Sequence, residues 1–141
     1  MGIENIIVKY GEKPDYIEQN ELDFLSCKDL IEYVKENTTL SIGVIVDIAS
    51  NDLESLKQDI GAGASVIFTA PFFDNNMFYD FIKKIRKENI LVPVVACVDV
   101  RQDESKSVIQ CLDLIKNGVE GVHLCTDNSS EKIHRIFEHM L

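Results

Sequence analysis

The feature that most constrains this chain is a strict alternation of short apolar runs with stretches of helical spacing. Five runs recur, at Asn5–Lys9, Ser41–Val46, Ser65–Ala70, Val92–Val98 and Gly121–Cys125. Most are continuous and rich in Val and Ile, as expected of strands buried on both faces. Each is followed by a helical pattern with its own start or stop signal. Ser26 with Asp29 has capping-box spacing ahead of Leu30, Ile31 and Val34, and Asn51 with Glu54 repeats it ahead of Leu53, Leu56 and Ile60. Asp74 is placed to cap a helix whose stripe is Phe78, Phe81, Ile82 and Ile85. Val108, Leu112 and Ile115 mark a fourth helix, stopped by Asn117-Gly118; Asn128 with Glu131 opens a fifth, with Ile133, Ile136, Phe137 and Met140 on one side. Gly61-Ala62-Gly63 ends the second helix before the third run; it follows a helix and precedes a strand, the reverse of a dinucleotide-binding loop.

Such alternation implies parallel strands joined by right-handed crossovers. Two architectures fit: an open doubly wound sheet, or part of a (β/α)8 barrel. A complete barrel takes roughly 250 residues, so the 141 here supply only part of one. No linker or low-complexity tract interrupts residues 1–141, which read as a single domain; the longest irregular piece runs from Gly11 to Phe24.

Charge and cysteine content narrow the chemistry. The formal net charge is -10, scattered over helix faces, which disfavours nucleic acid and anionic membranes as partners. The four cysteines, Cys27, Cys97, Cys111 and Cys125, contain no Cys-x-x-Cys pair, so the expectation is reduced thiols and no metal site. His123 and Cys125 lie two apart on one strand and so share a face; a buried core pair is expected there rather than a nucleophile and its base. His134 and His139, five apart, fall on different faces of the last helix. Neither a signal peptide nor a membrane-spanning run is legible, and Ile6 occupies the position where a myristoylation signal needs Ser or Thr; a cytosolic protein is expected.

The segment from Asn51 to Val98, NDLESLKQDIGAGASVIFTAPFFDNNMFYDFIKKIRKENILVPVVACV, resembles the methylenetetrahydrofolate reductases in order, spacing and aromatic pair without a gap. MGIENIIVKYGEKP, LSIGVIVD and GVEGVHLCTDNSSEKIHRIFEHM are similar to further stretches of that family, so the resemblance covers essentially the whole chain. It implies a parallel five-stranded partial (β/α)8 barrel of TIM type, corresponding to strands four to eight of the family barrel. It also implies FAD as cofactor, a folate as substrate and a place in one-carbon metabolism.

The same resemblance assigns candidate positions. Gly11, Glu12, Asp52 and Ser55 fall on cofactor-binding positions of the family, and Glu12 also on a folate-binding one. Glu12 replaces an aspartate, keeping the carboxylate with one more methylene. Asp52 is also an ordinary first-turn residue favoured by the helix dipole. Phe72 and Phe73 either line a ligand mouth at the carboxyl end of a strand or pack against neighbouring loops. Other family groups are replaced. Ile45 stands for a tyrosine, Ile48–Ala49 for a histidine, Gln58-Asp59 for a cationic pair facing the flavin phosphates, Ala70 for a folate-binding glutamine and Ala96-Cys97 for Pro-Gly. The family's proton-donating glutamate lies on its first strand, which has no counterpart among the five runs. No catalytic group is intact by this reading.

Two functions follow. One is an FAD-dependent reductase of 5,10-methylenetetrahydrofolate, completed by missing strands or a partner chain. The other, favoured, is a truncated or degenerate relative without independent catalysis. The two outer strands of a five-strand sheet are left unpaired, so a homo-oligomer or a protein partner is expected to cover them.

Overall fold

The computed structural model describes residues 2–11, 15–16, 23–50 and 52–140. Ten elements alternate: β1 (Asn5–Val8), α1 (Cys27–Asn37), β2 (Ser41–Val46), α2 (Leu53–Ala62), β3 (Val66–Thr69), α3 (Asn75–Lys87), β4 (Val94–Asp99), α4 (Glu104–Lys116), β5 (Gly121–Cys125) and α5 (Ser130–Met140). The five strands pair in parallel in the order β1-β2-β3-β4-β5. That order separates the two architectures. A doubly wound sheet reverses direction at a switch point, whereas here every strand joins beside its predecessor. The result is a curled half-barrel, a partial parallel (β/α) barrel of TIM type.

Side chains alternate between the two faces. Ile42, Val44, Ile67, Val94, Ala96 and Val98 face the helices and are buried together with Ile31, Leu56, Phe78, Phe81, Ile85 and Leu114. The other face is concave. It carries Ile7, Gly43, Ile45, Phe68, Val95, Cys97, Asp99, His123 and Cys125, linked by register as Ile45↔Phe68, Phe68↔Val95, Cys97↔His123 and Asp99↔Cys125. No helix among the described residues covers it, and Ile7 is 50% and Ile45 39% exposed. At Gly43 a Cβ would meet the Phe68 ring at 2.9 Å, so this glycine makes room for the ring on the concave face.

Helix starts follow the expected short-range chemistry. Ser26 accepts the Asp29 amide at 3.2 Å, while Asp29 reaches back to the Leu25 amide. Asp74 accepts from the Asn76 amide and Asp103 from that of Lys106. Helix α2 differs from expectation. Its cap is Asp52, whose carboxylate accepts the Ser55 amide at 3.0 Å; Asn51 lies outside the described residues. Helix α5 also starts one residue later than expected: Asn128 stands outside it at φ 65, and Ser129 Oγ accepts the Lys132 amide.

Two further expectations are corrected. In α4 the buried face is Ser107, Gln110, Cys111 and Leu114, while Leu112 and Ile115 are 41% and 51% exposed. Ser107 and Gln110 are acceptable inside because their polar atoms are used: Ser107 Oγ donates to the Asp103 carbonyl and Gln110 Nε2 to that of Phe72. The second concerns the thiols. Cys97 and Cys125 form a disulfide between neighbouring strands, and only Cys27 and Cys111 are free. Burial raises both free thiols, Cys111 to about 11, so neither is poised as a nucleophile. No helix among the described residues is long and apolar enough to cross a membrane.

Candidate functional site

The carboxyl ends of parallel strands are where a (β/α) barrel concentrates function. Here that rim begins at Gly11 beyond β1, passes the α2 N-terminus beyond β2, Phe72 and Phe73 beyond β3 and Asp99 at the end of β4, and ends at Cys125 on β5. Gly11 is exposed in the segment after β1, and Glu12 lies outside the described residues. Asp52 and Ser55 come together, but in a local way. The Asp52 carboxylate is bound to the Ser55 amide, and this hydrogen bond holds its carboxyl below the ordinary range. A protein carboxylate therefore already sits at the positive end of α2, where a ligand phosphate would otherwise be drawn.

The two phenylalanines part company. Phe72 is buried on the helix-facing side, stacked on Phe78 with centroids 5.3 Å apart and planes at 8°. It also bridges to Val98. Phe73 is 68% exposed. It lines a cleft of about 660 Å³ with Asn75, Gln102, Lys106 and Gln110, between the starts of α3 and α4. Sequence spacing alone gave both rings the same alternatives; the pleat and the turn after β3 assign one to the core and one to the rim.

Asp59, in the position where the resemblance places a cation, is half-buried. Burial first, and the charge of Asp52 second, push its carboxyl above the ordinary range. The folded state thus favours the proton on Asp59. Its contribution to stability is fully present below the unfolded carboxylate pKa and is lost as pH rises through the raised folded value. Asp59→Asn is therefore expected to raise the midpoint of thermal unfolding at neutral pH, with the gain disappearing in acid where the wild-type group is protonated. Melting curves across that range check the sign; a neutral-pH midpoint at or below the wild-type value would contradict it.

Two clusters on the rim were not legible in the sequence. The Asp99 carboxylate takes Arg101 in a forked contact, 2.8 Å from Nε and 2.7 Å from Nη2, and also accepts the Arg101 amide. Arg101 holds Asp99 below the usual carboxylate range, which unsuits it as a general acid. Beside it, the His123 ring meets both cysteines: Nδ1 lies 3.4 Å from Cys97 Sγ and 3.9 Å from Cys125 Sγ. The expected sharing of a face by His123 and Cys125 is found, but the expected burial is not: the face is the concave one, where His123 is exposed and Cys125 half-buried. Cys97 joins them from the next strand, a contact that spacing within one strand could not reveal.

Comparisons with known proteins agree with this architecture. The family model described as Methylenetetrahydrofolate reductase matches residues 1–100. A protein of Zea mays named Methylenetetrahydrofolate reductase (NADH) 1 is 28% identical over 116 aligned residues, covering 67% of this chain and 20% of the relative. Methylenetetrahydrofolate reductase 2 of Saccharomyces cerevisiae is 31% identical over 109 residues, covering 67% of this chain and 18% of the relative. The corresponding (NADH) 1 protein of Arabidopsis thaliana is 26% identical over 116 residues. The matched part spans about a fifth of the length of these relatives.

Proposed function

Because the chain belongs to the methylenetetrahydrofolate reductase family, we propose that it is a reductase-like protein of folate one-carbon metabolism that has lost independent catalysis. The carrying observation is the chemical character of the rim and of α2 behind it. The family resemblance calls there for groups that grip a flavin pyrophosphate and a folate ring. This chain offers exposed Ile45 on the concave face, Ala70 at the end of β3, and Gln58 with the half-buried acid Asp59 on α2. An acid beside a phosphate reverses the sign of the interaction that a cation would supply. Asp52 is engaged in its own helix cap. The described residues therefore fit FAD poorly, and no step through that cofactor is derived.

A second reading is an active FAD-dependent reductase completed by further strands or by another chain. It is favoured by one observation: Asp52 and Ser55, at family cofactor positions, do stand together at the rim. Titration of the purified full chain with FAD, followed by flavin fluorescence, separates the two. The expected result is no saturable binding at high micromolar FAD. Tight, stoichiometric binding would establish the second reading in place of the first.

Partner binding belongs to the same proposal. Among the described residues, strand β1 pairs with β2 alone and β5 with β4 alone, so each presents an edge. Together with the uncovered Ile7 and Ile45, these edges suit a second copy or another polypeptide. Light scattering after size-exclusion chromatography is expected to show an assembly larger than the 16.0 kDa chain. A stable monomer at low micromolar concentration would oppose it.

A further inference from the structure

Three soft or borderline donors converge on the concave face at the β4–β5 pair. The register places Cys97 directly opposite His123, and Cys125 follows two residues along the same face of β5. The ligand atoms of the three residues all lie within 4.8 Å of one another. The scaffold around them is specific. Thr69 Oγ1 accepts the Cys97 amide at 2.9 Å, anchoring β4 to β3 at that residue. The Phe68 ring stands perpendicular to the His123 ring, with centroids 6.3 Å apart, and flanks it on the concave face. Cys97 is buried, Cys125 half-buried and His123 exposed, so the cluster is reached from solvent at its His123 side.

We infer that Cys97, His123 and Cys125, when the cysteines are reduced, bind a soft divalent cation of the zinc class, with one coordination position open toward the concave face. Two thiolates and one imidazole are a donor set that a tetrahedral d¹⁰ ion takes with a fourth place left for water or an exogenous ligand. Two sulfurs on such an ion stand about 3.8 Å apart. The mutual spread of the donors accommodates this once the sulfur–sulfur bond is opened and the side chains separate. Two thiolates also balance the charge of the divalent ion, so it is held without an unpaired charge on the face. Donors on two hydrogen-bonded strands need little reorganisation to meet an ion.

The disulfide and the metal exclude one another, because the bonded sulfurs have no thiolate lone pair to spare as strong ligands. Opening it is a two-electron step. With a water-soluble phosphine as reductant, the sulfur–sulfur bond breaks and the phosphine becomes its oxide with the oxygen of water. Each sulfur leaves as a thiol, and metal binding then releases the two thiol protons. The site is thus available under reducing conditions and closed under oxidising ones. It requires neither flavin nor folate and stands independently of the proposed function above.

The test uses the full chain, reduced with a phosphine and titrated anaerobically with Co²⁺, then with Zn²⁺. One equivalent of Co²⁺ is expected to bring up a thiolate-to-cobalt charge-transfer band with tetrahedral ligand-field bands, and Zn²⁺ to abolish both. Cys125→Ser and His123→Ala are each expected to weaken binding by more than the roughly 10- to 100-fold that loss of an outer-shell partner costs. Cys27→Ser, which removes a free thiol elsewhere, should leave the spectrum unchanged. Oxidised wild-type protein should give no band, a control that needs no substitution to fold. A reduced wild-type chain without a charge-transfer band in excess Co²⁺ would overturn the inference, as would a band that survives in Cys125→Ser or in the oxidised protein.

Discussion

Replacing Phe78 by alanine is expected to cost about 3–5 kcal/mol of folding free energy, the range for removing a buried aromatic ring. Phe78 is 3% exposed, lies on the stripe of α3 that faces the sheet, and stacks on Phe72 while meeting Tyr79 edge-on. Its loss leaves a cavity between α3 and the sheet, and the Phe72 ring loses its partner. Two rigid elements cannot close that space by a small shift, so the larger part of the range applies. Folding free energies of domains this size are about 5–15 kcal/mol, so the variant spends a large fraction of the total. At about 2–4 °C per kcal/mol, the melting midpoint should fall by roughly 10 °C. Phe73→Ala is the matched control, since that ring is mostly in solvent and should change stability by no more than ~0.5 kcal/mol. Denaturant midpoints for the pair decide the matter. Equal effects at 73 and 78 would mean that the two rings have not been sorted between rim and core as described.

Gln110→Met is the second large effect, with an expected cost of about 1–3 kcal/mol. The buried Gln110 donates from Nε2 to the Phe72 carbonyl at 2.8 Å and accepts at Oε1 from Gln102 at 3.0 Å. Methionine keeps the approximate length of the side chain and supplies no donor. The substitution therefore leaves the Phe72 carbonyl unpaired inside, with little change in packing volume. The bond ties the turn after β3 to α4, across 38 residues of sequence. Its loss should loosen that turn before the sheet. Amide hydrogen exchange at 72–74 is expected to speed up more than exchange in β4. A stability unchanged from wild type would show that the carbonyl finds another partner, and that Gln110 is not what fastens the rim there.

Much of the fold was legible because its signals are local. The strand runs at Ser41–Val46 and Gly121–Cys125 coincide with β2 and β5, and the stripe Phe78, Phe81, Ile82 and Ile85 is the inward face of α3. Helix α4 shows where local reading failed. Periodicity favoured Val108, Leu112 and Ile115, yet the helix turns Ser107 and Gln110 inward because the Asp103 and Phe72 carbonyls satisfy them. A hydropathy pattern has no access to such partners, and Phe72 is far away in sequence. The candidate site was legible only as positions carried by resemblance. Asp52 was read as a first-turn residue of α2, one position inside the cap it forms, and its engagement with the Ser55 amide is a matter of backbone geometry.

By itself, then, the sequence determined the alternation of elements, the caps at Ser26 and Asp74, the parallel pairing it implies and the family to which the chain is akin. These rest on side-chain period and on contacts within a turn or two, where neighbours in sequence are neighbours in space. The partial barrel implied by the resemblance is the one found, with its strands in sequential order; the tertiary structure alone decided that Phe72 packs while Phe73 faces solvent, and that Cys97 stands across from His123. Those facts depend on strand register and on the handed twist that brings one strand alongside the next. Register joins residues such as Cys97 and His123, 26 positions apart, by backbone hydrogen bonds that leave no mark on the spacing along the chain.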